Sequence, residues 1–181
     1  MQSRDPDFGP KTPAAVLVLV YPHLGEPHIV LTLRSEALPD HPGQISFPGG
    51  VRDPEDFDLA VTALREANEE VGIVGAHVTL LGLLPEVPVG PFLVTPYVGT
   101  MAYRPEFIPS PDEVAELIEV PVRILQEPST LQEELWEMRG EQRVVQFYRH
   151  GRHQIWGATA RVIQHFLASA YVDLAVAGLE R

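Results

Sequence analysis

Cysteine is absent from the 181-residue chain, which excludes disulfides and thiolate metal sites and leaves the redox compartment open. No run of 18 or more apolar residues occurs, so no membrane-spanning helix is expected. The opening MQSRDPDFGPKTP lacks the charged-then-apolar order of a secretory signal. Positive charge is scarce: 13 Lys and Arg stand against 25 Asp and Glu, a net charge of −12. That balance argues against nonspecific binding to nucleic acid or docking on an anionic membrane. No HxxxH spacing points to zinc, and His41 and His153 read as surface histidines. Internal repeats and low-complexity segments are also missing. The expectation is a soluble cytoplasmic protein acting on a small molecule, with its oligomeric state open and a homodimer one possibility.

What is present fits one domain over residues 1–181, with 1–12 as a loose lead-in. Hydrophobic residues make up 45% of the chain, enough for a sizeable core, and the 18 prolines fall in short clusters between apolar runs, as rigid turns do. The valine-rich run Ala14 to Tyr21 predicts a central strand, and His28 to Arg34 a neighbour, with the turn at Gly25 between Pro22 and Pro27. Strands are also predicted over His77 to Leu84, Leu93 to Ala102 and Gln142 to Tyr148. Leu131 to Met138 reads as a helix, Val114 to Val120 as either a strand or a short helix, and Ala158 to Leu174 as a closing helix. The sum is an α/β fold, a mixed sheet with helices packed on it.

The chemistry concentrates in GGVRDPEDFDLAVTALREANEEVGI, Gly49 to Ile73. Asp56 or Asp58 can cap a helix start and Gly72 can end it in the left-handed conformation. At about 100° per residue, Glu66, Glu69 and Glu70 share one arc, while Ala60, Ala63, Leu64, Ala67 and Val71 share another. Like charges at these spacings repel, by roughly 0.2–0.5 kcal/mol per pair, and the helix's negative end adds to the cost. Arg65 can pair with Glu69. A hard divalent cation answers the cluster better, since Mg²⁺ or Mn²⁺ takes carboxylates, waters and substrate phosphates together. The plainer alternative is a solvated acidic face.

REANEEVGI after a Gly-Gly loop resembles the Nudix box, a glycine and a glutamate followed by an REUxEExGU helix in which U is a bulky aliphatic residue. Arg65, Glu66, Glu69, Glu70, Gly72 and Ile73 match it position by position. Fifteen positions separate Gly50 from Arg65, one more than usual, and an acidic cluster at Asp53, Glu55, Asp56 and Asp58 replaces the loop glutamate. Ala67 stands where a larger aliphatic is common. The resemblance implies an α/β/α sandwich, metal ligation by Glu66, Glu69, Glu70 and the Gly50 carbonyl, and cleavage of a nucleoside diphosphate linked to another moiety. For the general base it leaves Glu69, Glu70 or Glu113, although Ser110-Pro111-Asp112-Glu113 also reads as a helix-capping box. Arg65 is expected to orient Glu69.

Upstream, LTLRSEALPDHPGQISFPGG resembles the segment that precedes the box in the coenzyme A pyrophosphatase branch, with Arg34, Ser35, Gly43, Phe47, Pro48, Gly49 and Gly50 in register. Pro39 stands where that branch more often has arginine. Downstream, IWGATARVI resembles the branch's tail segment, in which a tryptophan and glycine open the last helix. The implied substrate is coenzyme A or a derivative, with another diphosphate such as ADP-ribose or NADH as the alternative and a catalytically silent nucleotide-binding domain behind both. Arg34, Ser35, Gly43 and Phe47 are the candidate substrate contacts. Each has a plain structural reading beside it: a strand-end ion pair, a turn cap, a turn glycine and a core aromatic. Trp156 can line the substrate site or anchor its helix.

Overall fold

Strand β1 (Thr12–His23) organises the sheet. Its apolar run alternates between two cores: Ala15, Leu17, Leu19 and Tyr21 enter one cluster, Val18 and Val20 the other. Each fully buried Val or Leu contributes about 1.5–3 kcal/mol relative to exposure, so the run is bound to a position covered on both faces. The computed structural model describes residues 9–35, 43–138 and 140–179, and Pro39 and His41 lie outside them.

The remaining strands are β2 (Glu26–Arg34), β3 (Ile45–Ser46), β4 (Gly49–Val51), β5 (Thr79–Leu83), β6 (Val87–Val89), β7 (Phe92–Thr100) and β8 (Val114–Pro121) in the large sheet, and β9 (Leu131–Met138), β10 (Glu141–His150) and β11 (His153–Trp156) in a three-stranded sheet. The main path runs β3-β2-β1-β7-β5, with β4 on β1, β6 on β7 and β8 on β2. β1 pairs parallel with β7 and antiparallel with β2 and β4, so the sheet is mixed. Helix α1 (Leu59–Val71) packs on one face. On the other lie α2 (Val122–Gln126), α3 (Gly157–Leu167) and α4 (Tyr171–Leu179). The α/β expectation holds, a large mixed sheet flanked by helices. No described helix is long and apolar enough to cross a membrane.

Three local readings need correction. LQEELWEM is strand β9, because its glutamates and leucine find cross-strand partners: Leu135 faces Val144 and Glu133 accepts from Gln146. Packing of Trp136 on Phe147 and Trp156 also outweighs the segment's helix propensity. Ser110 to Glu113 opens no helix; it is a turn feeding β8, which settles Val114–Val120 as strand. The closing helix is two helices, parted where the Ser169 hydroxyl donates to Phe166 O and accepts from the Tyr171 amide.

Candidate functional site

Helix α1 is fixed at both ends. The Asp58 carboxylate accepts from Val61 N–H at 2.9 Å, and Gly72 closes the helix at φ 76°. A Cβ on Gly72 would also lie 2.9 Å from that of Ile108, so glycine is required there twice over. The loop carrying Ile108 straps the helix end: Ile108 N–H donates to Val71 O at 3.0 Å and Ser110 N–H to Glu70 O at 2.8 Å. These bonds satisfy carbonyls that the last turn leaves unpaired.

The three glutamates are not equivalent, and the solvated-face reading fails for one of them. Glu69 is exposed, Glu66 half-buried, and Glu70 buried at 3% exposure. Burial pushes the Glu70 carboxyl up to about 8, with Arg34 opposing the shift and the charges of Glu66 and Glu113 adding to it. Burial also raises Glu66, against the pull of Arg65. The charge of Glu113 raises the Glu66 carboxyl as well, and the Glu113 carbonyl is held by Ser35 N–H at 2.8 Å.

Arg65 does more than orient Glu69. One edge of its guanidinium forks onto Asp56, through Nε to Oδ1 at 3.0 Å and Nη2 to Oδ2 at 2.9 Å. Its Nη1 donates to Glu66 Oε1 at 2.8 Å and to Glu69 Oε2 at 3.1 Å. Asp56 is itself fixed by the Thr62 hydroxyl at 2.8 Å and the Asp53 amide at 3.0 Å. Of the four acidic residues that the sequence offered for the loop, Asp56 is the one whose carboxylate Arg65 engages.

Strand β4 presents its two glycines to the same place. A Cβ on Gly50 would lie 2.5 Å from the Glu66 carboxyl carbon, whereas one on Gly49 would lie 2.3 Å from Ala15 O and 2.6 Å from Val16 Cα. The first obstacle is a movable side-chain end and the second is backbone. Gly50→Ala is expected to keep the fold but displace Glu66 and lower kcat at least tenfold, while Gly49→Ala lowers the melting temperature; circular dichroism melts beside activity assays separate the two.

Arg34 ends β2 at a shift in register with β8, a bulge that re-aims the side chain. Its Nη1 stands 3.9 Å from Glu70 Oε1. Arg34 Nε and Glu70 Oε2 are both buried without a partner. An unpartnered buried carboxylate oxygen is what a cation ligand leaves exposed to its ion, so the donor set fits a hard divalent metal. Among the described residues no group of three His, Asp or Glu side chains is gathered closely enough to hold a metal ion by itself, and Arg65 Nη1 engages both Glu66 and Glu69. Such an open site leaves coordination to water and substrate oxygens.

Beside this centre lies a cavity of about 460 Å³. Arg34, Phe47, Gly49 and Gly50 line it from the upstream segment, and Trp156 to Thr159 from the downstream one. The Thr159 hydroxyl donates to Ile45 O at 2.8 Å and ties the two together. Phe47 is both core and wall, at 2% exposure. Ser35 and Gly43 do not line the cavity; Gly43, at φ 66°, closes the loop onto Arg34 O at 3.2 Å. His153 is half-buried, not a surface residue, with Nε2 3.2 Å from Glu116.

Sequence and fold both resemble those of known proteins. The family model for the NUDIX domain matches residues 11–139. An uncharacterized Nudix hydrolase NudL of Photorhabdus laumondii is 44% identical over 79% of this chain and 76% of its own length. Another of that name, from Pectobacterium atrosepticum, is 42% identical over 88% of this chain and 83% of its own. A crystal structure of a NUDIX hydrolase from Alicyclobacillus acidocaldarius matches with a TM-score of 0.58, covering 92% of this chain and 96% of that one at 18% identity, a likeness of fold. The chain belongs to the Nudix family and is a Nudix hydrolase.

Proposed function

We propose that the chain, folded as one domain over residues 1–181, acts in the cytoplasm as a metal-dependent hydrolase of the diphosphate bond of coenzyme A and its derivatives. The products are 4'-phosphopantetheine and adenosine 3',5'-bisphosphate. One observation carries the reading: the segments around Arg34 to Gly50 and Trp156 to Thr159, far apart in sequence, share one cavity, and its wall residues Arg34 and Gly50 adjoin Glu70 and Glu66.

Glu66, Glu69 and Glu70, with the Gly50 carbonyl, would hold Mg²⁺ or Mn²⁺. When bound, the ion supplies charge neutralisation of the diphosphate and a water acidic enough to attack phosphorus as hydroxide. The chain's own residues do the rest. Arg65, anchored on Asp56, keeps Glu66 and Glu69 in fixed rotamers. Arg34 balances the buried Glu70 charge and can turn its free Nε to a substrate phosphate oxygen. Glu113, Glu69 or Glu70 takes the proton of the attacking water, a contribution of roughly 10²- to 10⁴-fold. Phe47 walls the cavity, while the Ser35 amide donates to Glu113 O and the Gly43 amide to Arg34 O, so both steady the end of β2.

Purified protein incubated with Mg²⁺ or Mn²⁺ and coenzyme A, dephospho-coenzyme A, ADP-ribose or NADH tests this. Both named products should form from coenzyme A. Cleavage of ADP-ribose or NADH instead would replace the substrate, and binding without cleavage across the panel would favour a silent nucleotide-binding domain.

A further inference from the structure

The cavity beside the carboxylates is built for an uncharged ligand. Its side chains are mainly apolar or aromatic, among them Phe47, Val87, Phe92, Val94, Trp156 and Val162. Arg34 is the one cation among the described residues that line it, and that side chain faces Glu70. The polar groups in the wall are mostly engaged. The Thr159 hydroxyl donates to Ile45 O, and the Ser46 hydroxyl lies 3.5 Å from that of Thr32. Gln44 adds one amide.

A purine carries acceptors and donors around its whole edge, and burying them without partners costs more than stacking returns. A ribose phosphate would need cations beyond Arg34, and the described residues of the wall offer none. An arm of methylenes and methyls with a few spaced amides has the opposite needs, much apolar surface and few polar contacts. At about 460 Å³ the cavity also exceeds what a single base occupies.

One side of the cavity is reinforced from behind. Trp156 lines it, and Trp136 on β9 meets Trp156 edge-on at 5.5 Å while stacking on Phe147 at 5.7 Å. Edge-to-face and offset pairs at such distances hold ring orientation, so the small sheet serves as a brace for the wall. These are the chain's 2 tryptophans.

We infer that this cavity receives the uncharged, non-nucleotide arm of the diphosphate substrate, with Trp156 as its wall and Trp136 as the brace, and that the adenosine end, with any 3'-phosphate, stays outside it. The inference rests on the coenzyme A reading for the identity of the arm. It predicts that coenzyme A and dephospho-coenzyme A are cleaved with kcat/KM values within about threefold of each other.

Because Trp156 lines the cavity and Trp136 packs on it, tryptophan emission reports occupancy directly and without metal. Titration with 4'-phosphopantetheine should change it and titration with adenosine 3',5'-bisphosphate should not. Ala158→Leu, which adds bulk to the lining from the first turn of α3, should weaken phosphopantetheine binding at least tenfold. Trp136→Phe, tested alongside, should raise KM for coenzyme A more than it lowers kcat. If the bisphosphate perturbs the tryptophans and phosphopantetheine does not, the orientation is reversed and the inference falls, even where coenzyme A is cleaved. If phosphopantetheine binds here but coenzyme A is not cleaved, the arm assignment stands and the proposed reaction fails.

Discussion

Glu70→Gln is expected to reduce metal-dependent turnover by on the order of 10³-fold, the scale of several kcal/mol of transition-state charge stabilisation. The same substitution should flatten the pH dependence of stability in metal-free protein. Glu70 is pushed up to about 8 from an ordinary 4.5, first by burial. Below about pH 4.5 both states hold the proton and nothing is lost. Between there and about 8 the unfolded chain ionises while the folded one keeps its proton, so stability falls as pH rises. The whole effect is on the order of 5 kcal/mol. Melting temperatures from pH 5 to 8 should therefore drop for the wild type and much less for the variant. Mn²⁺ or Mg²⁺ should restore the wild type at pH 8 and leave the variant unmoved. Unchanged turnover would place the metal elsewhere.

Asp56→Ala is the second large effect, though Asp56 touches no reacting atom. Without it Arg65 loses the fork that fixes one edge of its guanidinium, and Glu66 and Glu69 lose their common anchor. Partners one step removed from a metal ligand typically matter by roughly 10- to 100-fold, and kcat should fall by that amount, with weaker Mn²⁺ affinity. A readout separates positioning from simple loss of fold. Arg65 holds the Asp56 carboxyl well below the usual carboxylate range. Its stabilisation is present above about pH 4 and lost as pH falls through the lower folded value. Urea midpoints should thus converge for wild type and Asp56→Ala at strongly acid pH and separate near neutrality. Equal midpoints at all pH values, with full activity, would remove Asp56 from the site.

Helix α1 was legible because its boundaries are chemical: Asp58 and Gly72 act through backbone rules that need no partner. The central strand was legible because a valine-rich run has few other places to go. What escaped is set by pairing across the fold. The acidic residues Asp53, Glu55, Asp56 and Asp58 look alike in sequence, and only burial distinguishes Asp56 from its exposed neighbours. The inequality of Glu66, Glu69 and Glu70 was hidden for the same reason, since a helical wheel gives direction and not the depth of what lies opposite. LQEELWEM misled because its intrinsic preference is helical, and the strand across from it is supplied only later in the chain. Arg34 could be named as a candidate, but its bulge is set by β8, some eighty residues on, and its partner Glu70 sits on α1.

The parallel pairing of β1 with β7 bears on how the enzyme comes into being. Thr12 pairs with Phe92 and Val20 with Thr100, each contact spanning eighty residues. Loop closure of that length is unfavourable in entropy and slow relative to local helix formation. A chain emerging from the ribosome can wind α1 and carry all its glutamates well before β7 exists. Strand β1, against which Gly49 and Gly50 are seated, gains its neighbour on the other side only when that closure occurs. Catalytic competence is therefore a late product of folding, and a nascent chain lacking β7 holds the carboxylates without holding a site.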